Sequence, residues 1–169
     1  MSEPTFTRER PNRLRRWLLS APTRLYRGWL GELFRRRHIL KLTTTGWRSG
    51  LPRATLVSYL PLNGHYIVFS GWGTRGHWYR NLSADPRVTI QVGRRRLPAT
   101  AHPVHDPVRR RELMLAMRDF SDHCGPPPAL RPLLRRLYDY DASIQLAVDH
   151  AEELPVIELA PDDAATLRH

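Results

Sequence analysis

With Cys124 as its only cysteine, this 169-residue chain can form no internal disulfide, and its composition gives no sign of an oxidising compartment. Lysine is equally scarce: Lys41 stands alone, so arginine supplies the rest of the 27 basic side chains. Acidic residues are short too, 16 against those 27, which leaves a formal charge of +11. An arginine excess favours anionic partners, because the planar guanidinium fork matches phosphate and carboxylate oxygens; the plainer alternative is a solvated surface. No apolar run approaches the ~20 residues needed to span a bilayer. The stretch RLRRWLLSAP has the paired arginine of an export signal, but its apolar run WLL is too short, and Arg24 and Arg27 break the segment after it. The expected location is therefore the cytoplasm. No internal repeat and no nucleic-acid module accompany the charge, so nucleic acid is not an expected partner.

With 41% apolar residues, the chain has material for one globular domain, expected as a basic helical extension over 1–37 and a cofactor-binding β domain over 38–169. From Asn12 to Arg37, Leu25, Tyr26, Trp29, Leu30, Leu33 and Phe34 recur at helical spacing among arginines. This basic amphipathic segment, 12–37, either docks on the core or lies on an anionic membrane, so the location reads as cytoplasmic with an optional membrane association. Short strands come next: His38–Thr44, Arg53–Leu60, His65–Ser70 across the Asn63-Gly64 turn, Arg87–Val92 and Leu97–Val104 across Gly93-Arg94, and Pro155–Leu159. Helices are expected over His77–Ala84, from Asp106-Pro107 to Phe120, and from Leu130 to Glu153. Hairpin-linked strands with helices at the ends give an antiparallel α+β domain, and this number of strands curls into a small barrel.

Between the first two strands the sequence reads TTTGWRSGLPR. Two glycines bracket Trp47, Arg48 and Ser49, and Arg53 follows the turn. Such a loop lets backbone N–H groups face outward beside two guanidinium groups and a hydroxyl, a donor set for something phosphate-sized. It is no Walker loop, since the Lys-Ser/Thr pair and the following helix are missing. The competing reading is a hairpin turn with solvated arginines.

The blocks LTTTGWRSGLPRATLVSYL, YIVFSGWG, HWYRNLSADPRVTIQVG and LPVIELAP together resemble the nitroreductase-like family of deazaflavin-dependent oxidoreductases over Ile39 to Pro161. That resemblance implies a split β-barrel of the FMN-binding kind. It implies that Gly46, Arg48, Ser49, Gly50 and Arg53 grip the phosphate and acidic tail of coenzyme F420, an 8-hydroxy-5-deazaflavin. By the same resemblance Ala54, Thr55, Leu56 and Val57 lie along the ring, Ser70 and Gly71 border it, and Trp78 and Asn81 match a Trp-x-x-Asn-Leu signature. Trp72, between two glycines, is a further expected ligand contact. The implied activity is hydride transfer from reduced F420 to an electron-poor acceptor such as an enone, quinone or nitroaromatic. The chain departs from the family pattern in a shorter GWGTRGH link and in having only Tyr138 and Tyr140 before the last strand, with Tyr138 the candidate proton donor.

Other constellations carry less. His102 and His105 are separated by Pro103, so no metal site is expected there. The run SDHC at 121–124 places nucleophile and base side by side in sequence, which is not how triads assemble. The remaining alternatives are an FMN-binding flavoprotein, with FMN as the second cofactor, or a non-catalytic barrel holding a flavin, haem or lipid-like ligand. The expected assembly is a monomer or homodimer acting on a small molecule.

Overall fold

The computed structural model describes Tyr26, residues 28–71 and 73–124, Ala129, Pro132, Gln145, and residues 148–150 and 153–162. Helix α1 spans Gly28–Arg36, and strands β1 (Ile39–Thr45), β2 (Pro52–Ser58), β3 (Leu60–Leu62) and β4 (His65–Phe69) come after it. Helix α2 (His77–Ala84), strands β5 (Arg87–Val92) and β6 (Arg95–Val104), helix α3 (Pro107–Asp119) and strand β7 (Val156–Pro161) follow, with short 3-10 turns at Gly73–Arg75 and Ser121–His123. The seven strands form one antiparallel sheet in the order β2-β1-β5-β6-β7-β4-β3.

That order closes the sheet. Six spacings of 4.7–4.9 Å would set the edge strands of a flat sheet about 28 Å apart. Here the two edges, β2 and β3, are joined by Tyr59 alone. One residue spans at most about 3.6 Å, so the sheet must curl until its edges meet, as a barrel split along one side. The sequence reads Arg53–Leu60 as one strand. The structure breaks it at Tyr59, whose N–H continues the β1–β2 ladder onto His38 O at 2.9 Å before the chain crosses to pair with β4.

Alternation sets the faces. Along β1, Leu40, Leu42 and Thr44 point inward and are buried, while Ile39, Lys41 and Thr43 face outward. Leu40 and Leu42 pack with Val88, Ile90, Leu97 and Ile157 inside the barrel. A second cluster, including Leu113, Met114 and Met117 of α3 with Ile67, Leu154 and Val156, seals the other side. Burying each such side chain contributes about 1.5–3 kcal/mol.

The predicted helix through Tyr26 is corrected: Tyr26 precedes α1 and is not helical. Its ring is fully buried, its hydroxyl donates to Ile39 O (2.9 Å) and accepts from Gly93 N–H (3.1 Å), and Phe34 stacks on it at 5.3 Å. Its hydroxyl thus ties β1 to the turn between β5 and β6. His38, expected in β1, adopts φ +47° and ends the turn after α1. The SDHC segment is structural: Arg37 donates to Asp122 O and Cys124 O at 3.0 and 3.1 Å, and the buried Cys124 thiol lies on Tyr59 O at 3.7 Å.

Candidate functional site

The loop Gly46–Leu51 joins β1 to β2 as a compact turn. Ser49 and Gly50 N–H both donate to Gly46 O (3.1 and 2.7 Å), and Gly46 N–H donates to Leu51 O at 2.9 Å. The Leu51 N–H is taken by Ser49 Oγ at 3.4 Å, and the Trp47 N–H by Asn81 Oδ1 at 3.1 Å. The outward-facing amides expected from the two glycines are therefore not what the glycines provide. Gly50 supplies a left-handed φ of +64°, and a Cβ on Gly46 would lie 2.7 Å from Ser49 Oγ and 3.1 Å from Leu51 O. The donors left for an anion are side chains, with the Arg48 N–H, which has no acceptor among the described residues, beside them. Arg48 lies over the Trp47 ring at 4.4 Å, and Arg53 is the second residue of β2; both are exposed, and neither guanidinium has an acidic partner among the described residues.

Asn81 holds this loop from beneath. Its side chain is 4% exposed, accepts from Trp47 N–H, and donates to Thr44 Oγ1 at 2.8 Å. Thr44 Oγ1 in turn donates to Arg53 O at 3.4 Å, so one buried chain of hydrogen bonds ties both arms of the hairpin together. Asn81 therefore positions the loop rather than facing a ligand. Helix α2, which carries it, is set by Ser70. That side chain is fully buried, donates to Gly73 O at 2.7 Å, and lies where a Cβ on Gly76 would come within 2.7 Å. Ser70 thus fixes the tight turn into α2. Gly71 is half-exposed beside it, and Trp72 lies outside the described residues.

Strand β2 is an edge, bonded to β1 only. The bonds Gly46 N–Leu51 O and Tyr59 N–His38 O fix the phase of the ladder. By antiparallel alternation Arg53, Thr55 and Val57 bond to β1, whereas the amide groups of Ala54, Leu56 and Ser58 face the open edge. Pro52, with no N–H, occupies a position that needs none. An extended row of donors and acceptors thus begins beside two unpaired arginines.

Among aromatic residues, Trp78, Tyr66 and Tyr79 are half-buried against the barrel core. Tyr66 meets Tyr59 edge-on at 5.1 Å, and burial, then the neighbouring Tyr66, pushes the Tyr59 hydroxyl well above its ordinary 10.0. Sequence reasoning passed over Tyr59, Tyr66 and Tyr79; the alternation of β4 marks Tyr66 as inward once its partner strand is known. Tyr138 and Tyr140 lie outside the described residues.

A family model described as F420H(2)-dependent quinone reductase matches residues 19–123. An F420H(2)-dependent quinone reductase of Mycobacterium tuberculosis (strain H37Rv) is 36% identical over 99 residues, covering 53% of this chain. The match spans 66% of that relative's own length. Among solved structures, an F420-H2 dependent reductase, FDR-A, is 28% identical with a TM-score of 0.48, over 73% of this chain and 94% of that one. The heme storage protein HutZ of Vibrio cholerae is 20% identical with a TM-score of 0.51, over 78% of this chain and 87% of that one, a likeness of fold alone.

Proposed function

This chain belongs to the F420H(2)-dependent quinone reductase family, and on that premise we propose that it reduces an electron-poor small molecule, a quinone foremost, at the expense of reduced coenzyme F420. The observation that carries the reading is the hairpin: Arg48 and Arg53 stand unpaired at the head of an edge strand whose Ala54, Leu56 and Ser58 amides face outward. This donor set fits the group. Two guanidinium groups and the Ser49 hydroxyl suit a phosphate, and a row of strand amides suits the heteroatom edge of a planar ring.

Bound there, reduced F420 would supply a hydride. The chain's own residues bind, orient and shield. Arg48 and Arg53 hold the anionic part, while Gly46 and Gly50 give the loop the shape that presents them. Asn81 locks that shape before any ligand arrives, so its ordering cost is met on folding rather than on binding. Ala54, Thr55, Leu56 and Val57 line the ring's position, with Gly71, Trp72 and Trp78 around it. A quinone that accepts a hydride also needs a proton, and we assign its delivery to the Tyr138 hydroxyl. Anaerobic mixing of the protein with reduced F420 and a quinone tests the reading: cofactor oxidation must depend on both protein and quinone, and equal rates without protein would end it.

The partner reading extends to a peripheral contact with anionic membrane through residues 12–37. Its support is Leu33, 48% exposed, which lines a depression with Arg36, Arg94 and one acidic residue, Glu32. No helix among the described residues is long and apolar enough to cross a membrane. Salt-reversible co-sedimentation with anionic vesicles is the expected result, and no binding at low salt would leave core docking as the helix's role.

A further inference from the structure

The outer face of the sheet holds a cavity of about 230 Å³ across β2, β1, β5 and β6, lined by Lys41, Thr43, Ala54, Thr89, Gln91 and Arg96 among others. Register places these side chains together. Lys41 pairs with Gln91, Gln91 with Arg96, and Thr43 with Thr89 and Ala54, all on the face opposite Leu42, Ile90 and Leu97. The cation-bearing strands are two spacings apart, about 10 Å, so both heads reach one group set over Gln91. Gln91 is itself oriented, its Nε2 donating to Gly93 O at 3.2 Å.

The charge here is one-sided. No carboxylate lines the cavity. Among the described residues neither the Lys41 ammonium nor the Arg96 guanidinium has a hydrogen-bond or ion-pair partner, although the lysine is half-buried. A chain with a single lysine places it inside a sheet face, at a point where a neutral side chain would cost less desolvation. The Thr43 and Thr89 hydroxyls add neutral donors beside it.

We infer that this cavity is a second oxyanion site, separate from the Arg48–Arg53 pair, in which Lys41 and Arg96 take a carboxylate or phosphate oxygen. Resting on the proposed function, the occupant is a carboxylate of the cofactor's acidic tail; free phosphate offers the same chemistry from a second source. Because Lys41 is the sole lysine, reductive methylation with 13C-formaldehyde labels one side chain, besides the chain terminus, and keeps its charge. The labelled protein is titrated separately with inorganic phosphate, with F420 and with a deazaflavin lacking the tail, while cofactor absorbance follows binding independently. The expected result is a saturable shift of the Lys41 signal with F420 and none with the tailless compound, lost in Arg96→Gln, whose F420 affinity falls about tenfold. A saturable shift with phosphate alone assigns the site to free anions. A Lys41 signal that moves with neither overturns the inference. If F420 still binds by absorbance in that case, the functional reading stands; a Lys41 response to phosphate without any cofactor binding sinks that reading instead.

Discussion

Replacing Asn81 by alanine removes the acceptor of the Trp47 N–H and the donor to Thr44 Oγ1, bonds of 3.1 and 2.8 Å around a side chain that is 4% exposed. Two neutral hydrogen bonds at about 0.5–1.5 kcal/mol each, with one amide left unpaired, give a loss of about 2–3 kcal/mol. For a domain of this size the expected fall in Tm is about 5–10 °C. The loop would suffer in addition. If about 2 kcal/mol of that network holds the binding-competent turn, F420 affinity drops by about tenfold to thirtyfold even where the protein is fully folded. The control is Leu82→Ala, next in sequence and 2% exposed, which opens a core cavity and costs about 2–5 kcal/mol without touching the loop. The assay is a direct cofactor titration at a temperature well below both midpoints. Asn81→Ala should bind weakly and Leu82→Ala normally. Equal affinities in the two variants would refute the idea that Asn81 shapes the site, leaving it a structural residue only.

Gly50→Ala, at φ +64° with open space around the new methyl, should lower stability by about 1–2 kcal/mol through backbone strain alone and weaken cofactor binding with it; unchanged thermal unfolding would contradict the turn geometry. Stability should also fall at alkaline pH. Tyr59 has a folded pKa raised above its ordinary 10.0, so its contribution is intact below pH 10 and is lost as the unfolded chain ionises first on going higher. Tyr59→Phe should flatten that alkaline decline in Tm, and identical profiles for the two proteins would dismiss burial as the cause. Tyr138→Phe should slow quinone-dependent oxidation of reduced F420 about a hundredfold at unchanged cofactor affinity, while Tyr140→Phe changes neither; equal negligible effects would mean that solvent supplies the proton.

The local signals in the sequence are turn and cap chemistry, and they carry through. Asn63 and Gly64 adopt φ of +51° and +83°, and Asp106 accepts from Val108 and Arg109 N–H at the start of α3. The features that escape a reading of the sequence depend on pairings distant along the chain. The strand order, which makes β2 an open edge and forces the kink at Tyr59, has no local signature. Nor does the left-handed His38, a residue without the usual glycine of a helix end. Asn81 is legible as part of a motif, and its spacing from Trp78 and Leu82 already puts it on the inward face of α2. Its task becomes visible only when Thr44 and Trp47, far away in sequence, are brought against it. The loop glycines show the same limit: their presence announces a tight turn, but which way its amides point is decided by the turn closing on itself.

The central claim, that the hairpin loop clamps the anionic part of a deazaflavin, is tested most directly by titrating F420 and FMN separately into the wild-type protein and into Arg48→Ala. The exposed Arg48 has no ion pair among the described residues, so thermal unfolding of the variant should match wild type. The account predicts tighter binding of F420 than of FMN, and a loss of about 1.5–3 kcal/mol in the variant, roughly tenfold to a hundredfold in affinity. F420 affinity that is the same in both proteins, or absent from the wild type, would contradict it.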